Sequence, residues 1–449
     1  MTIETASIGI LYNAVDKLAD GYRHLPAHNT EYDQHRAEEI LLQVAEKMWD
    51  NYPYPHPQYA GQMLKPPHPV ARMAYMLATW INPNNHALDG GKASSAMEKE
   101  AVAKIATMYG WDNYLGHLTG GGTLANLEAL WVANHMHPGK TVLASSQAHY
   151  THNRICGVLQ IPFEAVAVDD QARMGLSDLE SKLQQLDVGT VVVTLGTTGV
   201  GSVDPLPDIL RLQEKYGFRV HIDSAYGGYY TLADNLSPQV RAAYDAIRQA
   251  DSVVVDPHKH GLQPYGCGCV LFRDPQVGQY YKHDSPYTYF SSDELHLGEI
   301  SLECSRAGAS AVALWATLEM FPLEPKGEFA TDLSRCRDAA LKLHARLSTD
   351  NRFITPLDPD LDIVIWAPKA ASTREISRLS QLTFERAEAQ DLYLATFSYP
   401  SQLIKKAFPE VQVDSDYTTC VRSCLMKPEH AAWGDRIWQI LDQIQSSLA

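Results

Sequence analysis

RVHIDSAYGG, residues 219–228, and SVVVDPHKHG, residues 252–261, share one plan: an apolar, β-branched run that stops on a charge, followed by small or turn-forming residues. Similar apolar runs at Thr141–Ala144, Phe163–Val168, Thr190–Leu195 and Gly268–Arg273 join Arg219–Asp223 and Ser252–Asp256 as expected strands. Amphipathic stretches separate them. Ser177-Asp-Leu-Glu180 reads as a capping box ahead of Leu183 and Leu186. Asp204-Pro205 reads as the opening of a helix that carries Ile209, Leu210 and Leu212. Short, almost wholly apolar strands between helices indicate an α/β fold whose mainly parallel sheet is covered on both faces. Ligands of such sheets gather beyond the carboxyl ends of the strands, where the charges of both opening segments fall.

Working outward, residues 1–85 read as an arm. His35 to Trp49 has helical spacing of Ile40, Leu41, Val44 and Met48. Residues 51–69 hold six prolines, which excludes a regular helix or a central strand. Arg72 to Trp80 returns to helical character. An arm without its own core is expected to lie across another surface. Residues 86–325 form the large α/β unit and end with an Ala-rich helix over 307–322. Residues 326–449 read as a smaller α+β domain: helix, strand, helix, a strand near Cys420–Met426 and a last helix from Glu429.

The chain has 449 residues, of which 45% are hydrophobic and 20% charged, enough to build a large core. Its 37 Lys+Arg against 53 Asp+Glu give a net charge of -16, which argues against nucleic acid and anionic membranes as partners. Seven cysteines, an odd number without zinc-ligand spacing, read as reduced core thiols, with Cys267 and Cys269 on one face of a strand. The N-terminus lacks the basic start and apolar stretch of a signal peptide, and no apolar run approaches the ~20 residues of a membrane span. A cytoplasmic protein is expected.

Three features carry chemistry. His117-Leu-Thr-Gly-Gly-Gly-Thr-Leu-Ala-Asn126 places glycines ahead of a helix, where exposed N–H groups suit a phosphate. Asp223 ends a strand and is followed by small residues. Lys259 stands just past a buried strand, a costly place for a lysine unless it is used; Schiff-base chemistry exploits such partial burial. Read singly, each has a plain alternative: a glycine turn, a helix-capping acid, an exposed loop lysine. Read together, they describe a pocket for pyridoxal 5'-phosphate.

HLTGGGTLAN, SSQAHYTHNR, TLGTTGVGSVDP, HIDSAYGG and DPHKHGLQPYGCG resemble, in order and spacing, the successive motifs of the group II pyridoxal-phosphate-dependent amino-acid decarboxylases, over roughly residues 50 to 430. That family includes the aromatic-amino-acid, tyrosine and glutamate decarboxylases. The resemblance implies an aspartate-aminotransferase-like fold of type I, with a large cofactor domain and a smaller C-terminal domain. It implies that Lys259 holds the cofactor as a Schiff base and that His258 touches the phosphate. Gly121, Gly122 and Thr123 cradle that phosphate, and Asp223 pairs with the pyridine nitrogen. Ala225 packs under one ring face, His149 stacks on the other, and Thr198 lies nearby. Two positions depart from the common phosphate motif: Gly120 stands for Ser and Leu124 for Glu. Ser224 stands where Ala is common.

The same resemblance assigns the acid that returns a proton to the substrate to a loop Tyr, here Tyr287 in preference to Tyr289, with Tyr289 toward the substrate. It places Arg422 near the substrate carboxylate, and Arg306 at a dimer interface or a partner site's phosphate. It also implies a homodimer with the active site at the subunit boundary. Competing outcomes are an aldehyde synthase, transamination or retro-aldol chemistry on the same fold, and a catalytically inactive regulatory homologue. Substrate choice is not written in the motifs. An aromatic amino acid comes first and an acidic one second, with Tyr52-Pro-Tyr54-Pro-His56-Pro57 as a candidate pocket wall.

Overall fold

All six expected strands form, within one or two residues, in a computed structural model that describes residues 5–86, 90–282 and 301–448. Tyr287 and Tyr289 lie outside the described residues. A strand missed in the sequence precedes them: β1 (Leu115–Thr119). The others are β2 (Thr141–Ser145), β3 (Phe163–Val166), β4 (Val188–Thr194), β5 (Arg219–Asp223), β6 (Ser252–Val255) and β7 (Gly268–Phe272). Their spatial order is β1-β7-β6-β5-β4-β2-β3. The strands from β6 through β3 run parallel, and β7 runs antiparallel to both β6 and β1. Every residue of β4, β6 and β7 is buried, as a sheet covered on both faces requires.

A second sheet, wholly antiparallel, serves the C-terminal part. It contains β8 (Phe353–Ile354), β9 (Ile363–Pro368), β10 (Ala395–Pro400) and β11 (Tyr417–Cys424), in the order β10-β11-β9-β8. β10 and the short helix Ser401–Ala407 add to the elements expected from the sequence. The helix Gly308–Met320 carries eight buried residues and packs on Pro69–Thr79 and Lys92–Met108.

Two local readings change. The helix expected after the capping box starts at Leu176, so Ser177 and Glu180 do not form a box, and its N-cap Gly175 makes no side-chain cap. A tight reversal fixes that start: Gly175 N–H donates to Ala167 O at 2.8 Å, and Asp178 accepts the Ala167 N–H at 2.7 Å. Asp204 turns its carboxylate back into the sheet, accepting N–H groups of Thr194 at 2.8 Å and Met174 at 2.7 Å. The helix Leu206–Tyr216 follows directly.

In the arm, Ser7–Asp20 packs on Pro69–Thr79. The helix Gln34–Lys47, capped by Asp33, buries no residue at all, and Leu41 is 67% exposed. All seven cysteines are free thiols, six of them buried and Cys304 exposed. Among the described residues no helix is long and apolar enough to cross a membrane, and no His/Cys/Asp/Glu group has the makings of a metal site.

Candidate active site

A cavity of about 520 Å³ opens beyond the carboxyl ends of β4, β5 and β6. Its lining brings together Gly121, Gly122, Thr123, His149, Thr198, Asp223, Ala225, His258 and Lys259, every described cofactor residue expected from the sequence.

The glycine end is built by close approach. Gly121 has φ 149°, a conformation that side chains other than glycine rarely adopt, and it starts the helix Gly122–Met136. A Cβ on Gly122 would stand 2.7 Å from Asp256 Oδ2. The N–H groups of Gly122 and Thr123 at the start of this helix have no intrahelical acceptor, and both residues line the cavity at the positive end of the helix dipole. His258 comes from the other side, its imidazole held by Nδ1–H donation to Cys267 O at 2.7 Å. Burial pushes the His258 and His149 imidazoles below their ordinary pKa, which favours neutral rings. A polar chain braces the helix from beneath: Ser252 Oγ to His221 Nδ1 and His221 Nε2 to Asn126 Oδ1, both 2.8 Å, then Asn126 Nδ2 to Gly122 O at 2.9 Å.

At the opposite end, Asp223 leaves β5. Its Oδ1 accepts the Ala225 N–H at 3.1 Å, and its Oδ2 lies 2.8 Å from His152 Nε2. Burial by itself would raise this carboxyl, but the His152 hydrogen bond and charge, the Ala225 N–H and the Lys259 charge outweigh it. Asp223 is therefore held well below the usual carboxylate range and stays ionised. Ser224 donates its hydroxyl to Val254 O at 2.7 Å, tying the turn to β6.

Lys259 reaches the cavity with its Nζ 3.0 Å from Asp256 Oδ2, and its side chain is one-fifth exposed. An amine, an ionised acid, a glycine cradle, and Ala225 and the His149 ring on the walls fit pyridoxal phosphate in size and chemistry.

Arg422, Arg306 and Tyr52 stand outside the lining of this cavity. Arg422 is buried beside the cavity: Nη2 donates to Thr198 O at 2.9 Å and Nη1 to Gln62 Oε1 at 3.1 Å, while Nε has no hydrogen-bond partner among the described residues. Arg306 is largely buried within the subunit. It reaches Glu98 at 2.7 Å and Leu118 O at 2.5 Å, bracing the end of β1. Tyr52 lines a separate pocket of about 240 Å³ with Tyr59, Gln62 and Tyr393. At the motif departures, Gly120 donates its N–H to Glu303 Oε2 at 2.9 Å, and Leu124 joins the cavity wall.

The sequence reading also passed over His152. Its signal is only that it stands three residues after His149, one helical turn on.

This fold and cavity define a pyridoxal-phosphate enzyme of the α/β class. Residues 54–369 match the family profile described as "Pyridoxal-dependent decarboxylase conserved domain". The chain belongs to that family, with pyridoxal phosphate as its cofactor, and it is a decarboxylase, a lyase. It is 26% identical over 443 aligned residues to the L-tyrosine decarboxylase of Enterococcus faecium, covering 74% of this chain and 72% of that protein. It is 28% identical over 286 residues to the L-aspartate decarboxylase of Thermococcus kodakarensis, covering 63% and 72%. The crystal structure of Oryza sativa TDC with PLP and tryptamine superposes with a TM-score of 0.79 at 15% identity, over 100% of this chain and 99% of that one, a likeness of fold.

Proposed function

We propose that this protein releases carbon dioxide from an L-amino acid and returns the corresponding amine, an aromatic substrate such as tyrosine ranking ahead of an acidic one. The observation that carries this reading is the facing of Lys259 and Asp223 across a single cavity with His149 and Ala225 on its walls. The tyrosine decarboxylase relative, matched over 74% of this chain, supports the order of substrates.

When bound, pyridoxal phosphate supplies an electron sink for a bond on the substrate's α-carbon. Lys259 would hold the cofactor's aldehyde, and Gly121, Gly122, Thr123 and His258 its phosphate. Asp223 would hold the ring nitrogen protonated, a charge pairing that favours both ionised forms. Arg422, buried beside the cavity with no carboxylate hydrogen-bonded to it among the described residues, would orient the substrate carboxylate; guanidinium and carboxylate match through two parallel hydrogen bonds. Positioning that carboxylate selects which bond breaks. Tyr287 is assigned the return of a proton to the α-carbon, and Tyr289 a substrate contact, on their sequence positions after the lysine.

The same proposal divides the chain into an arm (1–85), a cofactor domain (86–325) and a small domain (326–449), and makes it a cytoplasmic homodimer. The helix Gln34–Lys47, which buries none of its own residues, supports the dimer: Ile40, Leu41, Leu42 and Val44 are all exposed and suit a second copy. Sedimentation at micromolar concentration tests it, a monomer of full activity counting against it.

Screening the twenty amino acids for carbon dioxide and aldehyde release tests the reaction. Carbon dioxide with a stoichiometric amine supports it. Aldehyde with hydrogen peroxide, or no turnover by a cofactor-loaded protein, overturns it.

A further inference from the structure

Lys259 and Asp223 belong to two separate turns, and both turns lead to one buried carboxylate from the smaller sheet. Asp362 stands immediately ahead of β9, with its side chain wholly buried. Tyr226, three residues past Asp223 and on the cavity wall, donates its hydroxyl to Asp362 Oδ1 at 2.6 Å. His260, next to Lys259 and also wholly buried, places Nε2 3.2 Å from Asp362 Oδ2. The two rings meet edge-on with centroids 4.8 Å apart, so the hydroxyl and the imidazole close on the carboxylate as one packed unit. The Asp362 carbonyl accepts the Leu425 N–H at 2.8 Å, and β9 then pairs with β11 so that Ile365 faces Arg422.

One residue is thus tied to the lysine's turn, to the acid's turn and to the strand that carries Arg422. A carboxylate is expensive to bury, and an apolar contact would join the two sheets at lower cost. Apolar contacts slide, however, whereas a hydrogen bond to an ionised carboxylate, as the Tyr226 hydroxyl makes here, fixes direction.

We infer that Asp362 is a positioning residue for the cofactor, holding the Lys259 and Tyr226 turns in register with Arg422 on β11. The inference rests on Lys259 and Asp223 being the cofactor's anchors. Asp362 touches neither cofactor nor substrate; it acts through Tyr226 and His260.

The test begins with borohydride reduction of the wild-type holoenzyme and peptide mapping. A label on a residue other than Lys259 overturns the reading of the site and this inference with it. With Lys259 labelled, the rate of cofactor release and the visible circular dichroism of the bound cofactor are measured for D362N, Y226F and H260F. Y226F deletes a single hydroxyl and H260F keeps an aromatic ring, so the question stays open to test if D362N does not fold. Cofactor release about 10-fold faster or more is expected, with altered dichroism, the scale seen when a supporting partner of a bound group is lost. For the amino acid found to release carbon dioxide, KM should rise and kcat fall together. A merely structural role would lower the melting temperature alone. Unchanged release, dichroism and KM in folded Y226F and H260F overturn the inference.

Discussion

His152 Nε2 stands 2.8 Å from Asp223 Oδ2, and both side chains are almost completely buried. The imidazole is thus the principal partner of the acid that faces the cavity, and it offsets the cost of ionising that acid in a buried site. H152F keeps an aromatic ring and removes the bond. Its kcat is expected to fall about 10- to 100-fold, as for other supporting partners of an active group. Asp223 has a depressed pKa in the folded state, so its stabilisation is full above the ordinary carboxylate pKa and disappears as pH falls through the lower folded value. Losing His152 shrinks that contribution and moves acid unfolding to higher pH. Steady-state kinetics and acid titration of the tryptophan fluorescence check both.

G122A tests the phosphate cradle. The added methyl meets Asp256 at 2.7 and 2.9 Å, and Asp256 is itself buried and paired with Lys259. Overpacking of this kind costs ~1–3 kcal/mol, and each 1.4 kcal/mol is tenfold in affinity. Cofactor affinity should drop by roughly 10-fold or more, read by titrating apoenzyme with pyridoxal phosphate.

R422K retains the charge and loses the fork. A single ammonium cannot reproduce the two arms that now reach Thr198 O and Gln62. We expect KM for the amino acid to rise by about 10-fold, the equivalent of ~1.4 kcal/mol, with a smaller change in kcat. Equal KM values in the two proteins would remove Arg422 from the substrate's path.

Lys427 supplies a pH signature outside the cavity. Its amine donates to Tyr59 O at 2.6 Å, and burial pushes its pKa down to about 7. Between that pH and its ordinary value of 10.5, the unfolded chain binds more protons than the folded one, so stability rises with pH across this window. K427M should flatten the rise. Urea unfolding at neutral and at mildly alkaline pH measures it.

The sequence revealed most where chemistry interrupts a pattern. Asp223 stood out because it ends a run of buried β residues and Lys259 because it stands just past one, and the structure brings both to one cavity. β1 stayed hidden because Gly116 and His117 break its apolar run, although both belong to a strand paired residue by residue with β7. His152 and Asp362 were illegible for another reason. Their partners lie far along the chain, Asp223 for the first and Tyr226 with His260 for the second, and no local period encodes such pairings. Ser177 and Glu180 carried a valid capping pattern that lost to a tertiary constraint, the reversal closed by Gly175 and Ala167.

The reversed direction of β7 has a mechanical outcome. Because β6 and β7 are adjacent and antiparallel, residues 256–267 are a hairpin excursion pinned at both feet to interior strands of the large sheet. Lys259 therefore rides on a loop whose two ends belong to interior strands buried along their whole length. Amide protons of Val253–Val255 and Cys269–Leu271 should be among the last to exchange with deuterium.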